Sequence, residues 1–269
     1  MSDQSPPPAP EPLRVPALDS HCHLDLMGVP VADALAAASA VGITRVLTIG
    51  VDVPSSLWCA DTAAQHAGLG AGVAIHPNEA PAKADDAALA EIERLAALPQ
   101  VRAVGETGLD YYRTGPADRP AQQRSFRAHI DIAKRTGTAV MIHDREAHAD
   151  VLRILAEEGP PEQVVFHCFS GDAAMARTCA DRGHLMSFAG NVTFKNAGTL
   201  REAALAAPLE MLLVETDAPF LAPMPYRGRP NAPHLVPFTL RFLAQLKGVD
   251  LDDLCQAVTA NAERAFGPA

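Results

Sequence analysis

The sequence predicts an α/β fold in which eight parallel strands, each followed by helix, close into a (β/α)8 TIM barrel. Three observations lead there. Short β-branched runs end eight times in polar or glycine-containing loops, alanine-rich helical patterns fill the gaps between them, and a chain of 269 residues has the length such barrels need. The runs are apolar enough to be covered on both faces, which is how parallel sheets are built. Eight units in about 200 residues fit a closed barrel better than an open sheet.

In chain order the predicted strands are "ALDSHCH" (17–23), "ITRVLTIGV" (43–51), "GAGVAIHP" (70–77) and "VRAVGETG" (101–108). They continue as "TAVMIHD" (138–144), "QVVFHCFSG" (163–171), "HLMSFAG" (184–190) and "EMLLVETD" (210–217). Helical patterns such as "VADALAAASAVG", "DDAALAEIERLAAL" and "AQQRSFRAHIDIAKRTG" lie between them. Gly42, Gly137, Gly159 and Gly183 stand where helices need a left-handed closing residue. Two further stretches, "HLVPFTLRFLAQLKG" and "DLDDLCQAVTANAERAF", complete the outer layer. One domain is expected over 17–269. Residues 1–16, "MSDQSPPPAPEPLRVP", are expected to be a flexible leader, because prolines donate no ladder hydrogen bonds and few apolar side chains are present.

Apolar residues make up 48% of the chain, enough for a substantial core. No apolar run approaches the ~18 residues of a membrane span. The N-terminus lacks the charged start and apolar stretch of a secretory signal. Five scattered cysteines (Cys22, Cys59, Cys168, Cys179, Cys255) without a CxxC argue against a disulfide framework and for a reducing cytoplasm. Against 22 Lys and Arg stand 32 Asp and Glu, a net charge of −10. That balance disfavours a long interface tracking a phosphate backbone. It still admits a polyanion whose end enters a local site made cationic by bound metal ions.

In barrels of this kind, catalytic residues occupy the C-terminal ends of strands. Strand one ends at His21 and His23, two apart and so on one face, with Cys22 turned away. Strand four ends at Glu106, strand five at His143, strand six at His167 and strand eight at Asp217. Imidazole nitrogen and carboxylate oxygen suit Zn²⁺, Mn²⁺ or Fe²⁺. The set divides into His21, His23, Glu106 and Asp217 for one ion, and Glu106, His143 and His167 for a second, with Glu106 as the bridge. Two ions about 3.5–4 Å apart can activate water and clamp a phosphoryl group. Each residue alone has an ordinary reading: a hydrogen-bonded structural histidine, a solvent-facing Glu106, an Asp217 that caps "DAPFLAP". Their shared strand end is what makes them a candidate metal centre. Asp25, just past strand one, is expected to orient a ligand histidine. His76, in "AIHPN", reaches the same mouth as an orienting or substrate-contacting residue. His129 and His148 fall in helices as surface or packing residues, His66 and His184 lie at element ends, and His234 is unassigned.

The blocks "DSHCHLD" (19–25), "GETGLDYYR" (105–113), "IHDREA" (142–147), "FHCFSG" (166–171) and "ETDAPFLAP" (215–223) together resemble the TatD family of metal-dependent deoxyribonucleases. That family sits among the amidohydrolase-like TIM barrels, and the resemblance spans roughly 17–266. HxH alone occurs in many other amidohydrolases, so the ordered set of blocks carries it. The resemblance implies that His21, His23, Glu106, His143, His167 and Asp217 are ligands of two divalent ions, Mg²⁺ or Mn²⁺, although four histidines favour Zn²⁺ by softness. It also implies a phosphodiesterase acting on single-stranded DNA ends, typically as an exonuclease from the 3′ end. One departure is "YRGRPNAP" (226–233), where many relatives have Asn-Glu-Pro and this chain has Asn231, Ala232 and Pro233. Other amidohydrolase-like enzymes bridge with a carbamylated lysine; strand four ends in "AVGETG", which offers Glu106 instead.

On this reading Asp217 takes the proton of the attacking water, with Glu106 holding the ions. Arg227 and Arg229 match the geometry of a neighbouring phosphate, Lys195 is a further phosphate contact, and Tyr111 and Tyr112 could stack on a terminal base. Ordinary loop solvation or packing is the competing account of these five. The same activated water could instead attack an amide, lactone or acyl ester, and a metal-holding barrel could serve as a binding module without catalysis. The cationic mouth loop speaks against the first, and a bridged, open ligand set against the second.

Overall fold

The computed structural model describes residues 5–268. The elements follow the expected alternation: β1 (Ala17–Cys22), α1 (Val31–Ala40), β2 (Ile43–Ile49), α2 (Val53–Ala63), β3 (Leu69–Val73), α3 (Ala80–Lys83), α4 (Asp86–Ala96), β4 (Val101–Asp110) and α5 (Arg119–Thr136). Then come β5 (Ala139–Arg145), α6 (His148–Glu158), β6 (Val164–Phe166), α7 (Ala173–Asp181), β7 (Leu185–Phe188), α8 (Gly198–Ala206), β8 (Leu212–Val214), α9 (Val236–Lys247) and α10 (Leu251–Phe266). The strands form one eight-stranded sheet in chain order, β1 to β8, the strand order of a (β/α)8 barrel. Gly42, Gly137, Gly159 and Gly183 all have positive φ, between 67° and 86°, as their closing positions require. By backbone contacts the chain divides into two compact units.

Of the described residues, the first unit comprises 5–47, 171–264 and 268. Here β7 pairs in parallel with β8 (Met186↔Leu212, Phe188↔Val214), and Cys22 at the end of β1 bridges in parallel to Ala218. Every residue of β1 is buried, including Asp19, Ser20 and His21. Ser20 satisfies its hydroxyl on Ser187, 2.9 Å away. The segment expected to be a flexible leader is, from Ser5 onward, laid against this unit. Pro7, Pro10 and Leu13 are buried while the residues between them are exposed. A three-residue period of burial is that of a polyproline II strand, the conformation proline already favours. Leu13 N–H donates to Val41 (3.0 Å), and the guanidinium of Arg241 donates to the Glu11 carbonyl (2.7 Å). Side chains outside the segment thus satisfy carbonyls that no ladder can reach.

The second unit comprises 48–170 and 265–267. Strands β3 to β6 form a parallel ladder, with Val73↔Val104, Val104↔Val140 and Ile142↔Phe166 in register. Helix α2 opens on a capping box in which Asp52 accepts from Ser55 N–H (3.0 Å) and the Ser55 hydroxyl accepts from Asp52 N–H (3.0 Å). His129, expected to be a surface or packing residue of α5, is fully buried. Its Nε2 accepts from Ile75 N–H at 3.0 Å, while Nδ1–H donates to the Ser125 carbonyl at 2.7 Å.

Burial pushes the His129 imidazole down to about 4. The unfolded ring, near 6.5, binds its proton first, so this residue's contribution is present above pH 6.5 and is lost as pH falls from there towards 4. The full loss is on the order of 3 kcal/mol. Urea midpoints measured from pH 7 to 4.5 should therefore fall more steeply for the wild type than for His129→Gln, which has no group to protonate. Parallel curves would contradict the assignment.

Several strands are shorter than the sequence suggests: β6 ends at Phe166 rather than 171, and β8 at Val214 rather than 217. The cause is local. Cys168 (φ 41°) and Asp217 (φ 54°) take the left-handed region, which turns the chain out of the ladder beside His167 and at Asp217 itself.

Candidate metal centre

In the first unit the pleat of β1 does what its alternation requires. His21 and His23 bring their Nε2 atoms to 3.3 Å, while Cys22 turns away and donates its thiol to the Leu47 carbonyl. Asp217 Oδ1 lies 3.8 Å from His21 Nε2 and 3.5 Å from His23 Nε2. The left-handed turn at Asp217 is held from both sides. Its N–H donates to the His21 carbonyl (2.9 Å), and its own carbonyl accepts from Phe220 N–H (2.8 Å). A non-glycine residue there costs about 1–3 kcal/mol and persists only under such constraint. Beneath His21 lies Asp19, which accepts from His21 N–H (3.2 Å), Thr216 N–H (2.9 Å) and the Thr216 hydroxyl (2.5 Å). Burial pushes its carboxyl up to about 8 against these hydrogen bonds. Asp25, expected from its position to orient a histidine, is exposed; Asp19 ties His21 of β1 to Thr216 after β8.

In the second unit the "GETG" motif has a steric reason. A Cβ on Gly105 would come within 2.4 Å of the Met141 side chain, and one on Gly108 (φ 138°) within 2.1 Å of the His143 carbonyl oxygen. The two glycines let β4 lie tight against β5 and set Glu106 beside His143. Glu106 is buried, and its Oε1 lies 2.5 Å from His143 Nδ1, 2.8 Å from His167 Nε2 and 3.4 Å from His76 Nε2. Burial works to raise the Glu106 carboxyl, but His167, His76 and the hydrogen bond from His143 outweigh it and hold the group well below the usual range. His76 Nδ1 accepts from Asn78 N–H at 3.1 Å. A neutral ring so engaged carries its proton on Nε2, so His76 faces Glu106 as a donor.

Both groups suit a divalent cation. Donors held about 2.1 Å from one ion in a tetrahedral array stand about 3.4 Å from each other. The separations of 3.3, 3.5 and 3.8 Å around His21, His23 and Asp217 are of that size. In the second group His143 Nδ1 and His167 Nε2, the two nitrogens nearest Glu106 Oε1, stand 3.4 Å apart. A buried carboxylate facing imidazole nitrogens is a charge that a cation compensates and an apolar core does not.

The remaining predicted contacts divide. Tyr112 is 60% exposed, with the Arg145 guanidinium 4.0 Å from its ring centroid. Tyr111 is committed to the scaffold: its hydroxyl donates to Asp150 (2.6 Å), and Arg119 covers its ring at 4.1 Å. Arg227 is exposed and lies over Phe194 at 4.4 Å, and Lys195 is exposed. Arg229 is directed elsewhere, donating to the Ser5 carbonyl (2.9 Å), the Ser5 hydroxyl (2.7 Å) and the Pro6 carbonyl (3.0 Å). His234, left unassigned by the sequence, hydrogen-bonds the backbone of Pro7. At the departure in "PNAP", Asn231 holds the loop in place. Its amide donates to the carbonyls of Thr216 (2.8 Å) and Phe220 (2.6 Å), which ties the loop to the end of β8.

Sequence reasoning missed Asp110, a buried carboxylate whose Oδ2 lies 3.3 Å from His143 Nε2. The signal was available. Asp110 stands four residues beyond Glu106, and even spacing keeps side chains on one face of an extended strand. The predicted strand stopped at Gly108, whereas β4 runs on to Asp110.

Fold and donor sets together define a metal-dependent hydrolase of the TIM-barrel class. The chain belongs to the TatD family: the family model described as TatD related DNase matches residues 18–267. It is 48% identical over 258 residues to TatD of Mycobacterium tuberculosis, an uncharacterized metal-dependent hydrolase, covering 93% of this chain and 97% of that protein. Over 255 residues it is 40% identical to the uncharacterized metal-dependent hydrolase YcfH of Escherichia coli K12, covering 93% and 95% of the two chains. Among solved structures it resembles YjjV, a TatD homologue from Escherichia coli K12, with a TM-score of 0.87, 26% identity and 94% and 98% of the two chains covered.

Proposed function

We propose that this hydrolase is a phosphodiesterase that removes nucleotides from the 3′ end of single-stranded DNA. The observation that carries the reading is the buried Glu106 carboxylate meeting His143 and His167 at 2.5 and 2.8 Å. His21, His23 and Asp217 form a second convergent set, also at strand ends. Family membership in the TatD related DNases supports a nucleic-acid substrate. His21, His23, Glu106 and Asp217 would hold one divalent ion, and Glu106, His143 and His167 a second, with Mg²⁺ or Mn²⁺ favoured and Zn²⁺ compatible with the donors. Bound ions would supply charge neutralisation at the scissile phosphate and a water of lowered pKa.

The chain's own residues account for the rest. Asp217, fixed by its left-handed backbone, is the group to accept the proton of the attacking water and pass it to the leaving oxygen. His76, whose Nδ1 is occupied, offers Nε2–H to a non-bridging phosphate oxygen. Arg227 and Lys195, both exposed, would meet neighbouring phosphates, and exposed Tyr112 would give a terminal base a face to stack on. Arg229, engaged by Ser5 and Pro6, is not given that role. No helix among the described residues is long and apolar enough to cross a membrane, and no disulfide forms among them, in keeping with the proposed cytoplasmic setting.

The test applies metal-stripped protein to end-labelled single-stranded DNA and RNA, with an aminoacyl ester and a cyclic amide as controls, and returns Mg²⁺, Mn²⁺ or Zn²⁺ separately. Stepwise release of nucleotides from the 3′ end of DNA is expected. Failure to release nucleotides under any condition would sink the nuclease reading. With DNA as substrate, Arg227→Ala should raise KM for oligonucleotides about tenfold, the order expected for losing one charge-assisted contact, and leave a small phosphodiester unaffected. Equal effects on both would contradict a remote phosphate contact.

A further inference from the structure

We propose that Phe220 is a specificity-determining residue whose ring receives, by stacking, a nucleobase flanking the scissile phosphate, and that it thereby favours single-stranded ends. The proposal rests on the nuclease reading above. Two aromatic rings stand more than half exposed among the described residues, Tyr112 at 60% and Phe220 at 52%. Tyr112 belongs to the second unit. Phe220 belongs to the first, in "ETDAPFLAP", three residues beyond Asp217. Its ring centroid lies 6.3 Å from that of His23, with the two planes at 67°. An edge-to-face contact of this kind engages at most one face of the phenyl ring. The exposure therefore leaves flat apolar area open beside a candidate metal ligand. A base is joined to its phosphate through one sugar, so a phosphate that reaches the set of His21, His23 and Asp217 brings a base into this neighbourhood.

The backbone beneath the ring is fixed. Phe220 N–H donates to the Asp217 carbonyl (2.8 Å), and the Asn231 side-chain amide donates to the carbonyls of Phe220 (2.6 Å) and Thr216 (2.8 Å). Asn231 N–H donates to the Pro219 carbonyl (3.1 Å), and Ala218 and Ala222, two residues to either side of Phe220, are buried. A phenylalanine side chain has only two torsions, and on a held backbone it loses little freedom when a base lands on it. The turn that fixes Asp217 thus also presents the ring. Charge points the same way. With a net charge of −10 the chain is poorly suited to a long cationic track, whereas stacking supplies affinity that needs no positive charge and tolerates any sequence, since every base has a π-face. Taking a base out of a duplex costs unpairing and unstacking, a cost that is least at an already single-stranded end.

Phe220→Ala should raise KM for single-stranded DNA about tenfold, within the range that base–aromatic stacking gives on alanine substitution, while kcat stays near that of the wild type. Phe220→Trp should keep the wild-type KM, and Phe220→Leu, apolar but without a flat face, should not. Oligonucleotides made abasic at the 3′-terminal position or at the next one inward separate stacking from a structural effect. On the strand that lacks the base Phe220 receives, wild type and Phe220→Ala should have the same KM. Binding is read independently with 2-aminopurine at each of the two positions in turn, in strands whose last linkages are phosphorothioates that resist cleavage. Its fluorescence should be quenched by the wild type at one position and recover there in Phe220→Ala. The ring is half in solvent, so the variants should fold, which circular dichroism checks. An equal KM increase on intact and on both abasic strands, full rescue by Phe220→Leu, or quenching unchanged in Phe220→Ala would overturn the proposal. A wild-type protein that releases no nucleotide from DNA would fail the nuclease reading itself and the proposal with it, a different result from a Phe220→Ala protein that acts on DNA as the wild type does.

Discussion

Replacing Glu106 by alanine is expected to reduce metal-dependent turnover on the order of 10³-fold or more and to leave the chain short of metal after dialysis. The reason is the number of roles that meet in one carboxylate. Its Oε1 is within 3.4 Å of His76, His143 and His167, and it is buried. Orienting partners of metal ligands already account for 10- to 100-fold, and the shared ligand stands one step closer to the chemistry. Three imidazoles left facing one another would hold a cation only with a counter-charge brought in from solvent. Metal content by mass spectrometry and initial rates with Mn²⁺ check the prediction, with circular dichroism confirming the fold. Turnover near that of the wild type would show that the bridging assignment is wrong.

The largest effect on stability is expected from Gly108→Ala. Its φ of 138° is one that side-chain-bearing residues rarely adopt, and the added methyl would sit 2.1 Å from the His143 carbonyl oxygen. Overpacking costs about 1–3 kcal/mol and an unfavourable backbone region about as much again, so a loss of about 3 kcal/mol or more is expected. The obstruction is backbone, which has no rotamer to escape into. β4 and β5 would have to part where Gly108 pairs with His143, and the Glu106–His143 contact would part with them. Gly115→Ala is the control, since nothing lies within 4 Å of the added methyl, and it should change stability by less than ~0.5 kcal/mol. Urea unfolding of the three proteins decides between them, and equal midpoints for Gly108→Ala and Gly115→Ala would refute the close-approach account.

Much of this was legible from residues alone, for reasons that are local. The two-residue period of β1 is enough to put His21 and His23 side by side and Cys22 away from them, because alternation belongs to the extended backbone and needs no tertiary context. The closing glycines of the helices, Gly137 among them, follow from the left-handed conformation a helix end demands. The strand-end rule singled out Glu106, His143, His167 and Asp217 as candidates, because barrel folds place functional side chains at that end.

What escaped the sequence depends on partners distant along the chain or on backbone turns. Residues 1–16 read as a flexible leader by composition, of which 1–4 lie outside the described residues. Prolines carry no ladder donors, yet their carbonyls remain acceptors, and Arg229, His234 and Arg241 supply the donors that hold the segment down. The same contacts engage Arg229, one of the residues the sequence offered for phosphate binding, and no motif announces them. Tyr111 and Tyr112 are adjacent and chemically alike, and only their surroundings separate them: Asp150 and Arg119 commit the first, while the second is exposed.

The sequence by itself determined the eight-unit rhythm, the paired imidazoles of β1 and the identity of the residues at the strand ends, since all of these follow from periodicity and residue chemistry. Only the tertiary structure decided which nitrogen of each histidine faces a carboxylate, that β4 extends to bring Asp110 behind His143, and that the proline-rich segment holds Arg229. Proton placement and hydrogen-bond partnership are properties of atoms a few ångströms apart, and residues as far apart in the chain as Asn78 and Asp110, or Ser5 and Arg229, acquire them only once the backbone has brought them together.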